Sequence, residues 1–233
     1  MALLAGKCYA KEGNNVVLVD LNEEGLKKAK EELSEYGDKI LTVRADVTKY
    51  SDAVEARDKA VEAFGTIDIL ICCAGGAELR LLGRRGNFWE IPIDTYDFGI
   101  DLNLKGAIYF DHAVMAQMVK QNGGVIIHLG SITGEEGSSN NIAYAASKSA
   151  LMYGVTKSIA QAGAPYNIRC VCVAPGPVLT RAAMANMKTM AGRAADPQEI
   201  VDLIMYVASE KGAFINGTTI LADGGRNVMF NKT

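Results

Sequence analysis

Short apolar runs rich in β-branched residues alternate along this chain with segments of helical length, and this alternation limits the fold more than any other feature. Strands that are apolar throughout are typical of a parallel sheet whose two faces are both covered by helices. Right-handed crossovers between such strands produce a doubly wound sheet, so the sequence predicts the α/β class. The predicted strands are 16–19, 40–43, 67–72, 125–129, 168–173 and 218–221, and the main predicted helices are 23–35, 51–64, 96–121, 143–162 and 197–209.

Length and charge exclude several kinds of partner. The 233 residues suit one large α/β domain, and a net charge of -3 is too small to indicate binding to nucleic acid or to a membrane surface. No apolar run is long enough to span a bilayer. We see no segment with a basic stretch, an apolar core and a cleavage site, and we therefore expect a cytoplasmic protein.

The number and placement of the cysteines indicate reduced thiols rather than disulfides or a metal site. Their number is odd, and four of them lie in apolar runs that resemble strands. Neither close pair has the CxxC spacing, and no histidine is close in sequence, so we expect no metal site. The five are Cys8, Cys72, Cys73, Cys170 and Cys172.

Several polar or small residues directly follow predicted strands. The carboxyl ends of parallel strands lie at one edge of a doubly wound sheet, and ligands bind at that edge. We therefore expect these residues to line one site. They are Asp20, Asp46, Ala74, Ser131 and Pro175.

Tyr144 and Lys148 lie four residues apart in a predicted helix, so their side chains share a face. A free tyrosine has a pKa of about 10 and is a poor acid–base catalyst at neutral pH. A neighbouring ammonium group favours the phenolate and suits the hydroxyl to proton transfer. By itself the pair is weak evidence, because this spacing also occurs by chance on exposed helices.

Ser131 and Asn103 extend this pattern. Ser131 ends a predicted strand before the helix that carries Tyr144, so its hydroxyl can return to face Tyr144. A turn serine that satisfies local backbone groups is the alternative. Asn103 lies inside a predicted helix, where its amide competes for backbone hydrogen bonds. A local kink with a bound water would explain this position, and a surface asparagine is the alternative.

In order and spacing, these four residues resemble the Asn-Ser-Tyr-Lys tetrad of the short-chain dehydrogenases/reductases. The resemblance extends over nearly the whole chain and implies a Rossmann-like doubly wound parallel sheet, with a single domain over residues 1–233. The further matching segments are 11–13, 16–20, 45–47, 68–75, 175–180 and 223–225.

The resemblance implies an oxidoreductase that passes a hydride between a nicotinamide and the carbon of a carbonyl or alcohol. Tyr144 would transfer the proton, Ser131 would hold the substrate oxygen, and Lys148 would assist Tyr144 and contact the nicotinamide ribose. Asn103 would hold a water that links Lys148 to solvent. Besides Tyr144 and Lys148, the implied cofactor-binding residues are Asp20, Leu21, Asp46, Val47, Cys73, Ala74, Gly75, Pro175, Gly176, Val178 and Thr180.

Asp20 bears on which nicotinamide is used. On this resemblance its carboxylate lies beside the adenine ribose, where it accepts hydrogen bonds from the ribose diol and repels a 2′-phosphate. Neither Leu21 nor Asn22 offers a basic group to offset that repulsion. We therefore predict NAD rather than NADP.

The substrate is less well determined. Segments 77–89, 132–141 and 181–193 are expected to line the pocket, and their polar residues indicate a sugar, a polyol or a sugar acid. Solvated loop residues are the alternative. Two other functions stay open, a 3-oxoacyl-thioester reductase of the fatty-acid type and an NAD-binding protein without catalysis. The resemblance also implies a homotetramer, or at least a dimer, through helices 96–121 and 143–162. His112 and His128 fit a helix and a strand interior and receive no role.

The largest departure from the family lies at the start of the chain. The family opens with a central strand and a Gly-rich turn that binds phosphate at a helix terminus. Met1 already stands where that helix opens, so this strand and turn are absent. A start codon placed too late, an incomplete sequence and a truncated protein are all compatible with this. Without these residues we expect weaker binding of the cofactor and a less stable fold.

Overall fold

The structure is a computed structural model that describes residues 1–230. Six strands alternate with ten α-helices within that range. The strands are β1 (Val16–Asp20), β2 (Ile40–Arg44), β3 (Ile69–Cys72), β4 (Gly124–Leu129), β5 (Ile168–Pro175) and β6 (Thr218–Ala222). The helices are α1 (Ala2–Lys11), α2 (Glu23–Glu32), α3 (Tyr50–Phe64), α4 (Glu78–Leu81), α5 (Asp94–Ile100), α6 (Gly106–Lys120), α7 (Thr133–Glu136), α8 (Ile142–Ala150), α9 (Thr156–Gly163) and α10 (Pro197–Ala208).

All paired strands run parallel. β1 pairs with β2, and β3, β4, β5 and β6 pair in that order. The register places Cys72 opposite His128, and His128 opposite Cys172. Parallel pairing with intervening helices confirms the predicted α/β class. In the part of the chain that the structure describes, no strand joins β1 to β3, so the strands form a two-stranded and a four-stranded sheet.

Helix contacts connect these two sheets. Arg57 of α3 donates a hydrogen bond to the carbonyl oxygen of Ala113 in α6, at 3.1 Å. On the other side, the Gln198 side chain of α10 lies 3.5 Å from the Cys8 sulfur of α1. The two sheets are therefore held in place by packed helices rather than by hydrogen bonds between their strands.

Both faces of the four-stranded sheet are covered, which explains why its strands read as apolar throughout. One face packs against α10, and the other against α6 and α9. The first core contains Ile127, Val171, Val173, Ile200 and Ile204. The second contains Val114, Met118, Ile126, Ala160, Ile168 and Cys170.

Two predicted helices contain a π-helical segment. Asp101–Lys105 separates α5 from α6, and Leu151–Val155 separates α8 from α9. The first segment contains Asn103, where the sequence predicts a local irregularity, and π-helical turns are frequent at functional sites. The irregularity at Asn103 is therefore confirmed as a π-helical segment.

The five cysteines are free, and burial disfavours the thiolate forms of Cys72, Cys73, Cys170 and Cys172. Cys170 and Cys172 are fully buried in β5, and burial raises the pKa of the Cys172 thiol to about 11. Burial also raises the pKa of Cys73, which lies just after β3. Since the thiolate is the nucleophile, these groups are poorly reactive and serve as small apolar side chains.

No helix within residues 1–230 combines the length and the apolar character needed to cross a bilayer.

Candidate active site

The loop after β4 and the carboxyl end of β5 meet at one edge of the sheet. The backbone N–H of Ile132 donates to the carbonyl oxygen of Pro175 at 2.8 Å, which joins the two. The Ser131 hydroxyl accepts a hydrogen bond from the N–H of Thr133 at 3.1 Å. This contact uses a lone pair of the Ser131 oxygen, so its hydrogen is left for another acceptor.

Tyr144 and Lys148 share one face of α8, as their spacing predicts. The Lys148 ammonium lies 5.6 Å from the centre of the Tyr144 ring and donates to the carbonyl oxygen of Leu129 at 2.6 Å. Lys148 is only 4% exposed. A buried ammonium group is thus held against the carboxyl end of β4, beside a partly exposed tyrosine.

Asn103 ties the turn after β3 to the π-helical segment. Its amide nitrogen donates to the carbonyl oxygens of Gly76 and Gly99 at 3.0 and 2.9 Å, and its oxygen accepts from the N–H of Gly76 at 2.8 Å. The side chain is 1% exposed, so the alternative of a surface asparagine is wrong.

The contacts of Asn103 with this turn require a glycine at position 75. Its φ of 138° is one that other residues rarely adopt, and a Cβ at this position would collide with the Asn103 oxygen. Ala74 and Gly75 are exposed at the carboxyl end of β3. The backbone of this turn is therefore open to a ligand.

The carboxyl ends of β1 and β2 carry the two predicted aspartates. The N–H of Ala45 donates to the carbonyl oxygen of Asp20 at 3.0 Å, so the two strand ends are adjacent. Asp20 is exposed, and one of its carboxylate oxygens accepts from the N–H of Asn22 at 2.9 Å. In Asp46, a hydrogen bond from the Thr48 hydroxyl is the main cause that lowers the pKa of the carboxyl. Asp46 is thus charged and holds its own turn.

Leu21 and Val47 follow these aspartates. Leu21 is 53% exposed, whereas Val47 packs against α6 so closely that a Cβ on Gly106 would lie 2.9 Å from it. The two residues therefore differ in how freely a ligand can reach them.

The loop after β5 is packed at its start and open at its end. A Cβ on Gly176 would lie 2.7 Å from the Cα of Asp223, so the loop passes directly beside the segment that follows β6. Val178 is buried and forms a bridge with Ala195, whereas Thr180 is exposed. Thr180 is therefore accessible to a ligand, as is the neighbouring Leu179.

Two of the three segments predicted to line the pocket, 132–141 and 181–193, are connected through Arg226. Arg226 forms an ion pair with Glu136 at 3.1 Å and donates to the carbonyl oxygen of Lys188 at 2.9 Å. In the remaining segment, Arg84 forms an ion pair with Asp94 at 2.5 Å. Glu136 and Arg84 are therefore engaged within the protein.

Comparisons with known proteins show the family to which the chain belongs. A family model described as enoyl-(acyl carrier protein) reductase matches residues 1–227. The solved structure of a short chain dehydrogenase from Bacillus anthracis overlays with a TM-score of 0.86 at 30% identity, covering 99% of this chain and 92% of that one. The chain belongs to the short-chain dehydrogenase/reductase family.

Two curated relatives identify the reaction class of this short-chain dehydrogenase/reductase. The 7alpha-hydroxysteroid dehydrogenase of Bacteroides fragilis is 34% identical over 93% of this chain and 86% of its own length. The trans-4-hydroxycyclohexanecarboxylate dehydrogenase of Sinomonas cyclohexanicum is 37% identical over 95% and 86%. The chain is thus an oxidoreductase with a Rossmann fold and a nicotinamide cofactor, and it interconverts an alcohol and a ketone.

Glu78 of this short-chain dehydrogenase/reductase makes contacts that could not be predicted from the sequence. Glu78 is fully buried, and its two carboxylate oxygens accept from the N–H groups of Ala143 and Tyr144 at 3.0 and 3.1 Å. Glu78 falls within a segment predicted to line the pocket, and nothing nearby in sequence indicates that it pairs with α8.

A second missed feature is a polar network in the core. The Nε2 of His128 lies 3.0 Å from a carboxylate oxygen of Asp111, and its Nδ1 lies 2.8 Å from the Thr156 hydroxyl. All three side chains are buried. Cys72 completes a group whose potential metal-ligand atoms lie within 4.8 Å of one another, but both ring nitrogens of His128 already have hydrogen-bonding partners. We therefore interpret the group as a structural network.

Proposed function

We propose that this chain is an NAD-dependent dehydrogenase that interconverts a secondary alcohol and a ketone on a small polar substrate. One observation carries the proposal, the position of Lys148 between Tyr144 and the end of β4. This places an ammonium group, a phenol and the Ser131 hydroxyl on the elements that meet at the sheet edge where ligands bind in such folds.

The same edge fits a dinucleotide. The turn at Ala74 and Gly75 is exposed and is held by Asn103, and Asp20 offers an exposed carboxylate. The bound nicotinamide supplies the hydride acceptor for oxidation and the hydride donor for reduction. The residues proposed to hold the cofactor are Asp20, Leu21, Asp46, Val47, Cys73, Ala74, Gly75, Tyr144, Lys148, Pro175, Gly176, Val178 and Thr180.

The proton is handled by the protein. In the reductive direction, the Tyr144 hydroxyl donates its proton to the substrate oxygen, and the Ser131 hydroxyl donates a hydrogen bond to the same atom. The Lys148 ammonium stabilises the phenolate that remains. In the oxidative direction, the Tyr144 phenolate removes the proton from the alcohol. The Asn103 amide nitrogen donates to the carbonyl oxygens of Gly76 and Gly99. That Asn103 also holds a water linking Lys148 to solvent stays a prediction.

The substrate is proposed to be small and acidic or hydroxylated. Arg80 is exposed and places its guanidinium over Gly76, where a Cβ would lie 2.5 Å from the Arg80 nitrogen. A positive charge beside the cofactor turn suits a carboxylate, and the relative from Sinomonas cyclohexanicum is named for a small hydroxy acid. A screen of hydroxy acids, polyols and hydroxysteroids, followed by NADH absorbance, tests the class. A turnover confined to steroids would contradict it.

A second candidate is reduction of the 3-oxo group of an acyl thioester, and the description of the matching family model names an acyl carrier protein. For that activity we expect NADPH as the hydride donor and a carrier protein as the partner. Oxidation of NADPH in the presence of a 3-oxoacyl thioester, with no reaction on free hydroxy acids, would select this candidate over the first.

We predict that Asp20→Ala narrows the preference for NAD over NADP by at least about tenfold in kcat/KM. The substitution removes one charge-assisted hydrogen bond to the ribose diol and also the repulsion of a 2′-phosphate. Initial rates with the two cofactors measure the ratio. Asp38→Ala, which removes an exposed carboxylate just before the amino end of β2, is the control and should leave the ratio unchanged. A wild-type enzyme that prefers NADP would overturn the assignment.

We also propose a homo-oligomer, a tetramer or at least a dimer, formed through α6 and the helix that contains α8 and α9. Ile108 and Tyr153 are exposed large apolar side chains on these elements. We predict a mass of at least twice that of the chain in light scattering at micromolar concentration, and a monomer would contradict the proposal. The free cysteines support a reducing compartment, for which we propose the cytoplasm.

A further inference from the structure

We infer that Glu78 is a positioning residue, which fixes the first turn of α8 and thereby the placement of Tyr144. The inference rests on the proposed function of Tyr144. Glu78 is the first residue of α4, whereas Tyr144 is the third residue of α8, and the hydrogen bond between them spans 66 residues of sequence.

Helix α8 is capped by a side chain that is distant in sequence. The first backbone N–H groups of a helix have no partner within the helix, and a neighbouring side chain normally accepts from them. Asn141 is the N-cap residue of α8, but its side chain makes no such bond. The Asn141 side-chain oxygen is buried and has no hydrogen-bond partner in the described part of the chain. Glu78 supplies the cap instead, and it does so with both carboxylate oxygens.

The Glu78 side chain is also buried. Glu78 is 0% exposed, and a buried carboxylate is costly unless hydrogen bonds and favourable charge compensate it. The amino terminus of a helix provides partial positive charge as well as N–H donors. Helix α5 packs closely against this contact, since a Cβ on Gly99 would lie 2.6 Å from Ala143 and 3.2 Å from Glu78. Little room is left for the carboxylate to move.

The segment that contains Glu78 is also connected to the turn at Ala74 and Gly75. Glu78 follows Gly76 by two residues, and Gly76 is held by two hydrogen bonds to Asn103. The segment from Gly76 to Glu78 therefore contacts the π-helical segment through the backbone of Gly76. It contacts α8 through the side chain of Glu78. We infer that this segment sets the position of Tyr144 relative to the turn at Ala74 and Gly75.

The test begins with a readout that needs no substrate. In the wild-type protein, we expect the amide hydrogens of Ala143 and Tyr144 to exchange slowly with solvent. Glu78→Gln should accelerate their exchange at least about tenfold, because the glutamine oxygen accepts from one N–H while its own NH₂ group faces the other. Asp111→Asn is the matched control: it also replaces a fully buried carboxylate by an isosteric amide, and it should leave exchange at these two positions unchanged.

Activity then separates positioning from a merely structural role. We expect Glu78→Gln to lower kcat about tenfold, since small displacements of reacting groups cost rate, with little change in KM or in the dissociation constant for NAD. Glu78→Asp keeps the charge on a shorter side chain and should be intermediate. Asp111→Asn should lower the melting temperature and leave kcat unchanged.

Two results would overturn the inference. One is fast exchange of the Ala143 and Tyr144 amides in the wild-type protein, which requires no variant to fold. The other is a wild-type kcat in Glu78→Gln when Tyr144→Phe is inactive. If Tyr144→Phe instead keeps its activity, the proposed function fails, and the exchange experiment still decides whether Glu78 caps α8.

Discussion

Tyr144→Phe is expected to lower turnover by at least about a hundredfold while the protein stays folded, which is the range for loss of a general acid–base group. The substitution keeps the aromatic ring and removes only the hydroxyl. The neighbouring Lys148 stays bonded to the carbonyl oxygen of Leu129, so the rest of the site is retained. Initial rates with the substrate found by the screen, together with NAD binding by calorimetry, measure the effect.

A matched control is Tyr166→Phe, which removes an exposed hydroxyl in the short helical turn that follows α9. It should leave turnover and stability unchanged. Turnover of Tyr144→Phe within a few-fold of the wild type would show that another group transfers the proton. A loss of both turnover and NAD binding would instead indicate that the hydroxyl contributes to holding the cofactor.

Asp111→Ala is expected to destabilise the fold by about 3 kcal/mol, because it leaves the Nε2 of the buried His128 ring without its carboxylate partner. The two side chains are fully buried and lie 3.0 Å apart, so neither can be hydrated without opening the core. For a domain of this size the loss corresponds to a fall in melting temperature of roughly 6–12 °C. Urea unfolding at neutral pH measures the free energy directly.

The control for this prediction is Glu55→Ala, which breaks an exposed ion pair with Lys59 four residues along α3. Exposed pairs of this kind contribute at most about 0.5 kcal/mol, so its stability should match the wild type. An Asp111→Ala protein that is as stable as Glu55→Ala would mean that His128 finds another partner or reaches water.

The proposed catalytic pair shows how much can be inferred from local sequence. Tyr144 and Lys148 lie four residues apart, and helical periodicity alone places them on one face. The irregularity at Asn103 was also predictable, since asparagine disfavours a regular helix interior. What Asn103 contacts was not predictable, because Gly76 lies 27 residues away on the turn after β3.

The polar side chains of the pocket segments illustrate the limit of such inference. Glu136 and Arg84 are charged residues in segments predicted to face substrate, and composition alone marks them as candidate ligands. The structure pairs Glu136 with Arg226, which is 90 residues away, and Arg84 with Asp94. Arg80 is left as an exposed charge above the cofactor turn, and no pattern in the sequence separates it from Arg84.

The sequence by itself determined the α/β class, the positions of the strands and long helices, the strand-end edge that carries the site, and the pairing of Tyr144 with Lys148. These properties depend on residues within a few positions of each other, where backbone geometry and the burial of alternating apolar runs decide the outcome. Only the tertiary structure decided that Glu78 caps α8, that His128 meets Asp111 and that Arg226 joins two pocket loops. Those contacts depend on how crossovers bring distant segments together, and a buried polar group takes whichever partner the packing places within reach.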